Sequence, residues 1–311
     1  MKHLLGIEEL GREGIERILD RAESFEGVAS RDIQKVPALR GRLIVNLFYE
    51  ASTRTTSSFE LAAKRLSADV ISVRSSGSSV EKGESLKDTI ATLDAYEPAA
   101  IVVRHPRAGA AHLVSKWTRA SVINAGDGAH AHPTQALLDV HTLRGRIGAL
   151  DGRNIWIVGD IAHSRVARST AKAFSLMGAR VTLAGPPTLL PPGIGAALGC
   201  GETSSLASLG EADVVYALRM QHERMTGGDV PSLAEYANLY SVTEARLRPD
   251  QLVMHPGPVN RGVEIAGDVV DSGRSLIAQQ VAAGVAVRMA VLYELLAGAE
   301  RDGRMREVTA A

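Results

Sequence analysis

Cysteine is almost absent from this chain of 311 residues: Cys200 is the only one. A lone thiol forms no internal disulfide and rules out a cysteine-rich zinc site, which fits a reducing compartment. Aromatic residues make up 4% of the chain, too few for the stacking platforms that bind single-stranded nucleic acid. Neither sign of charge is in excess, since 35 basic and 35 acidic residues leave a formal net charge of zero. An anion must therefore be held by a local cluster of basic groups rather than by overall charge. No run approaches the ~18 apolar residues that a membrane span needs. The start, Met1-Lys2-His3-Leu4-Leu5-Gly6-Ile7-Glu8-Glu9, brings in acids before a signal-peptide core forms. These absences predict a cytoplasmic protein with no membrane and no nucleic acid among its partners.

Apolar residues are plentiful at 45%, enough for two cores at this length. Short β-rich apolar runs occur at 43–49, 70–73, 99–103, 121–124, 154–158, 180–184, 213–218 and 251–254. Stretches with helical spacing fall between most of them, at 57–66, 85–96, 110–119, 134–143, 164–177 and 231–240, with a long one at 275–296. This alternation predicts an α/β fold with parallel sheets covered by helices on both faces. Eight strands make one large sheet or two of about four. The Gly- and charge-rich segment 144–152 places a domain boundary near 148. Domains are thus expected at 1–148 and 149–284, before a long last helical segment.

Sites in such folds lie at the carboxyl ends of strands, where loops meet helix N-termini. After the first strand comes Ser52-Thr53-Arg54-Thr55-Thr56. Free N–H groups and the positive end of the helix dipole favour an anion there, and the planar fork of Arg54 suits phosphate. A simple N-cap is the bland alternative, but a cap needs one hydroxyl, not a run of them. The small-residue loop 74–85 is either a solvated surface loop or a mobile arm delivering Ser78 and Lys82 to the anion. The third strand ends in Arg104-His105-Pro106, where Arg104 faces the same crevice or makes a structural salt bridge. The fourth leads to His130-Ala131-His132-Pro133-Thr134-Gln135. Pro133 suits a first helical turn and so puts His132 at a helix N-terminus, where a neutral imidazole donates to a polarised carbonyl. Gln135, one turn on, can read an amide. His130 and His132 lie on opposite sides of an extended segment with no third ligand close in sequence, so no metal is expected.

The second half opens with Val158-Gly159-Asp160 and reaches Ser164-Arg165. One glycine is not the G-x-G-x-x-G fingerprint, and the next strand ends without an acid for a ribose hydroxyl, so no NAD or other cofactor is expected. Arg165 is either a carboxylate ligand or a surface residue. Arg219 and Gln221 leave a later strand, followed by a Gly227-Gly228 pair suited to a closing loop. His255-Pro256-Gly257-Pro258 reads as a rigid turn with a candidate cis bond, able to point backbone carbonyls into a site. The set holds several negative charges and polarises a carbonyl. It suits transfer between two anionic substrates by positioning and electrostatics.

In this order, Ser52-Thr53-Arg54-Thr55, Arg104-His105-Pro106, His132-Pro133-Thr134-Gln135, Arg219-Met220-Gln221 and His255-Pro256-Gly257-Pro258 resemble the carbamoyltransferases, and most closely their aspartate branch. The resemblance runs from about residue 43 to 296 and implies a carbamoyl phosphate domain first, an aspartate domain second, and a C-terminal helix, 285–311, that packs back on the first. It implies transfer of a carbamoyl group from carbamoyl phosphate to L-aspartate, an early step of pyrimidine synthesis, with no metal and no covalent intermediate. By the resemblance, Ser52, Thr53, Arg54 and Thr55 bind the phosphate. Arg104, His132 and Thr55 contact the carbamoyl oxygen, and Gln135 the carbamoyl amino group. Ser78 and Lys82 match a loop inserted into a neighbouring subunit's site, which implies a homotrimer with shared active sites. Arg165, Arg219 and Gln221 match the aspartate-binding positions, and Pro256 and Gly257 the turn whose carbonyls face the substrates. A larger assembly with a regulatory chain or dihydroorotase is left open.

One departure stands out: the family's phosphate motif continues with a second Arg, and here Thr56 stands in its place. The ornithine branch resembles the first half equally but carries a Cys in its His-x-x-Pro turn, where this chain has Pro256. Ornithine's amino group also calls for an acid where Arg219 and Gln221 stand.

Overall fold

The computed structural model describes residues 1–74, 83–221 and 232–297. The chain divides into two compact units, one of Met1–Leu137 with the chain from Ala282 onward, the other of Leu138–Val281.

The first unit runs α1 (Gly11–Glu26), β1 (Leu43–Phe48), α2 (Thr53–Arg65), β2 (Asp69–Arg74), α3 (Leu86–Asp94), β3 (Ala100–His105), α4 (Ala110–Ser115) and β4 (Ser121–Asp127). α5 (Pro133–Ile147) follows and continues into the second unit. The four strands form one parallel sheet in the order β2-β1-β3-β4. Alternate strand residues face opposite sides. Val45, Leu47, Ile101, Val103 and Val122 pack with Ile90 and Leu93 of α3 and Ala111 and Val114 of α4. α2 forms because Thr55, Thr56, Phe59, Ala62 and Ala63 make one buried stripe at helical spacing behind a Ser52 cap. The expectation of strands buried on both faces fails at β2, which lies at the sheet edge and is largely exposed. The opposite edge is covered: Leu4 donates to the Val122 carbonyl at 2.9 Å and accepts from Asn124 N–H at 2.9 Å.

The second unit continues with β5 (Asn154–Val158), α6 (Arg165–Leu176), β6 (Arg180–Ala184), α7 (Ile194–Leu198), β7 (Gly201–Thr203), β8 (Val214–Ala217), α8 (Leu233–Tyr240), β9 (Leu252–Met254) and α9 (Gly267–Val270). Its five parallel strands follow the order β7-β6-β5-β8-β9. Trp156, Val158, Val215, Ala217 and Val253 form its core with Val242, Ile265 and Val269. The sequence pattern shows eight strands, and the described residues form nine. β7 is Gly-Glu-Thr, too short and polar to register as an apolar run.

α10 (Ile277–Leu296) leaves the second unit and returns to the first. There the Arg288 guanidinium lies 5.1 Å from the centre of the Phe59 ring, and Phe25 and Tyr293 meet edge to face at 5.8 Å. Arg17 and Arg21 of α1 each reach Glu294 at 3.3 Å. α1 lies outside the helical stretches expected from the sequence, although its buried Ile15, Ile18, Leu19, Ala22 and Phe25 repeat at helical spacing. No described helix is long and apolar enough to cross a membrane.

Phe59 is completely buried. Phe59→Ala is expected to destabilise the protein by about 3–5 kcal/mol, read as a lower urea midpoint at unchanged slope. An unchanged midpoint would remove Phe59 from the core.

Candidate active site

Strand order reverses between β1 and β3 in the first sheet and between β5 and β8 in the second. Helices leaving adjacent strands on opposite faces open a crevice at such a point. Most of the described candidate residues follow these four strands.

In the first unit, Ser52 caps α2, its hydroxyl accepting from Thr55 N–H at 3.4 Å. Thr53 and Arg54 are exposed at the helix start, while Thr55 and Thr56 are buried. Thr56, at the position of the family's second Arg, lies on the packed face of α2 and donates its backbone N–H to the Ser52 carbonyl at 3.0 Å. Arg104 sits opposite Phe48 in the β1–β3 register. Its Nη2 donates to Glu50 Oε1 at 2.8 Å and its Nη1 to the Ala125 carbonyl at 3.3 Å. The salt bridge weighed as an alternative is thus present, and it also fixes the direction of the guanidinium. His132 immediately precedes α5 and is buried with Thr134 and Gln135. Its carbonyl takes the first helical bonds, from Gln135 N–H at 3.0 Å and Ala136 N–H at 3.3 Å. Ser78 and Lys82 lie outside the described residues, as do Gly227 and Gly228.

The loop ahead of His132 is organised by Asp127, whose carboxylate is fully buried. It accepts from Gly109 N–H at 2.7 Å, Asn124 Nδ2 at 2.9 Å and Ala131 N–H at 3.1 Å, with His130 Nδ1 3.1 Å from both oxygens. His112, Asp127 and His130 bring donor atoms within 4.8 Å of one another. The Asp127 oxygens are already engaged by backbone and amide donors, so Asp127 and His130 read as a clamp on this loop, with the His112 ring against His130 at 5.7 Å.

The second unit repeats the device. Asp160, after Gly159, is fully buried and accepts from His163 N–H at 3.1 Å, while its other oxygen accepts from Gln221 N–H at 3.2 Å. It therefore ties the end of β5 to the segment after β8. Arg219 Nη2 donates to Gln221 Oε1 at 3.2 Å, which brings those two side chains together. Arg165 opens α6 and is buried, behind a Ser164 cap that accepts from Ala167 N–H at 3.1 Å.

The Pro256–Gly257 turn follows β9, and its Gly257–Pro258 bond is cis. His255 Nδ1 accepts from Gly257 N–H at 2.8 Å. That leaves the proton on Nε2, which faces Glu264 Oε1 at 3.2 Å. Glu264 also accepts from Asn260 N–H at 2.6 Å, so one buried carboxylate spans the turn. Cys200 lies elsewhere, 3.8 Å from Ser175, with its thiol pushed up by burial.

Sequence reasoning missed the acids that hold these residues: Glu50, Asp127, Asp160 and Glu264. A signal existed for two of them. Gly126-Asp127 and Gly159-Asp160 each end a strand with a glycine at positive φ, 118° and 136°. A Cβ at Gly159 would stand 2.8 Å from the Leu218 carbonyl oxygen, so no larger residue fits this approach.

Residues 2–145 match the aspartate/ornithine carbamoyltransferase carbamoyl-P binding domain, and residues 151–295 the Asp/Orn binding domain. The chain belongs to the aspartate/ornithine carbamoyltransferase family. Within it, the chain is 54% identical to the aspartate carbamoyltransferase catalytic subunit of Salinispora arenicola, across 97% of this chain and 100% of that one. The corresponding subunit of Sorangium cellulosum is 55% identical across 96% and 94%. The catalytic subunit of M. jannaschii aspartate transcarbamoylase superposes with a TM-score of 0.84 at 38% identity, covering 96% of this chain and 99% of that one. The Trypanosoma cruzi aspartate transcarbamoylase bound to N-(phosphonacetyl)-L-aspartic acid gives 0.86 at 31%, covering 95% and 96%.

His105, beside this crevice, has its pKa held below the ordinary 6.5 by burial, which outweighs the pull of Asp127 and Glu50. His3 is lowered in the same way, with Lys2 adding to the effect. Each therefore binds fewer protons in the fold than in the unfolded chain as pH falls through 6.5. The unfolded state then binds more protons, so stability falls with pH through the histidine range. Melting temperature is expected to drop on going from about pH 7.5 to pH 5.5, with part of the slope removed in His105→Asn. An unchanged slope in that variant would assign the loss to other groups.

Proposed function

We propose that the protein transfers the carbamoyl group of carbamoyl phosphate to the amine of L-aspartate, giving N-carbamoyl-L-aspartate and phosphate for pyrimidine synthesis. The observation that carries this reading is the pair of strand-order reversals, one followed by capped hydroxyls and an anchored arginine, the other by Arg165, Arg219 and Gln221. Relatives support it, including a T. cruzi enzyme solved with carbamoyl phosphate and aspartate.

The first unit is the carbamoyl phosphate domain. Ser52, Thr53, Arg54 and Thr55 hold the phosphate with the N–H groups of α2, and Ser78 and Lys82 reach it from a neighbouring chain. Arg104, His132 and Thr55 donate to the carbamoyl oxygen, and Gln135 accepts from the carbamoyl amino group. The second unit is the aspartate domain, in which Arg165 and Arg219 bind the two carboxylates and Gln221 orients the side chain. Pro256 and Gly257 present carbonyls to the substrates. The neutral amine attacks the carbamoyl carbon, and the oxyanion that develops is met by donors already in place, which lowers the barrier without a covalent intermediate. The C–O bond to phosphate then breaks, and the departing phosphate takes the proton lost by the amine. The assembly is a homotrimer with shared sites, working in the cytoplasm.

Purified chain with carbamoyl phosphate and L-aspartate is expected to form carbamoyl aspartate, and ornithine is expected to give no product. Arg104→Ala should lower kcat by roughly 10²–10³. Turnover of ornithine alone would sink the assignment. A second test mixes and refolds Arg54→Ala chains with Lys82→Ala chains. Shared sites predict partial recovery of activity in the hybrids. No recovery would place Lys82 in the site of its own chain.

A further inference from the structure

Asp139, two turns into α5, takes no part in the mechanism above, yet it is a fully buried carboxylate. Its Oδ2 accepts from Thr170 Oγ1 of α6 at 3.0 Å and from the Tyr216 hydroxyl of β8 at 2.8 Å. Its Oδ1 accepts from Gln280 Nε2 of α10 at 2.7 Å. Gln280 in turn accepts, through Oε1, from the backbone N–H of His255 at 3.0 Å. All five residues are buried. The donor directions are fixed without ambiguity. A backbone N–H only donates, so the Gln280 carbonyl faces His255 and its amide must face an acceptor. Asp139 is that acceptor.

The turn carrying Pro256 and Gly257 thus has two buried holds. Glu264 grips the His255 ring, and Asp139 grips the His255 backbone through Gln280. We infer that Asp139 and Gln280 are positioning residues which set the Pro256 and Gly257 carbonyls for catalysis. This rests on the reading of that turn as part of the carbamoyl transfer site.

Exchanging the two side-chain chemistries tests it. Gln280→Glu alone sets one carboxylate against another with no hydrogen between them. Asp139→Asn alone either sets one amide NH2 against another or, with the amide turned, gives Thr170 and Tyr216 an NH2 in place of the oxygen to which both donate. Together, the new amide N–H donates to the new carboxylate, whose second oxygen still accepts from His255, while Thr170 and Tyr216 donate to the remaining amide oxygen. Each single variant is expected to lose roughly 10²-fold in kcat, the scale of a misplaced reacting group. The KM for carbamoyl phosphate, held mainly by the first unit, should stay within about two-fold. The double variant should recover most of the loss. Gln280→Met, which keeps the length and loses only the polar atoms, should behave as the single variants do and guards against a single that fails to fold. Wild-type kcat in folded Gln280→Glu or in Gln280→Met, or a double variant no better than Gln280→Glu, would overturn the inference.

Amide exchange at His255 separates this from the activity itself: slow in the wild type and the double variant, fast in the singles. If the wild type forms no carbamoyl aspartate, the functional reading fails, and the exchange pattern still decides whether Asp139 and Gln280 hold the turn.

Discussion

Everything chemical in this protein hangs on the reversal of strand order beside β1 and again beside β5. A parallel sheet must send each strand's connection over one face or the other, and where the side changes the carboxyl ends of neighbouring strands are left uncovered. The chain spends its short polar segments there: a hydroxyl-capped helix start after β1, Arg104 at the end of β3, Asp160 after β5 and Arg219 after β8. Helix N-termini add unpaired N–H groups at the same places. The fold therefore gathers anion-attracting groups at these strand ends before any charged side chain is counted.

Buried acids hold these loops in place. Asp127, Asp139 and Asp160 are each removed from solvent with donors on both carboxylate oxygens, and the buried Glu264 takes its contacts with Asn260 and His255 on Oε1. Burying a carboxylate costs several kcal/mol, an outlay recovered only when donors meet both oxygens in good geometry. Such a group tolerates few alternative arrangements of its neighbours. The loops it ties are then rigid when substrate arrives, the condition for electrostatic stabilisation without reorganisation.

The fold was largely legible because parallel strands buried on both faces are written as apolar runs. Trp156-Ile157-Val158 and Val214-Val215-Tyr216 could hardly be anything else. β7 was invisible because it has three residues and no apolar core, and α1 was passed over because its polar residues dilute a clear helical stripe. Among site residues, the cations and hydroxyls were readable since their chemistry advertises them. Their carboxylate partners were not, because an acid 54 residues away in the chain, as Glu50 is from Arg104, leaves no local pattern. Asp139 was hidden more deeply still, its partner Gln280 being 141 residues distant.

The first unit is built from both ends of the chain, while the second is a single continuous stretch. Protein synthesis runs from the N-terminus and early segments begin to fold while later ones are still being made. Residues 138–281 are complete before α10 has emerged in full, whereas in the first unit Phe59 meets Arg288, Phe25 meets Tyr293 and Arg17 meets Glu294 only after α10 is made. The half of the molecule translated first is thus the half finished last, and during that interval the apolar face of α2 and the flank of α1 wait without their cover.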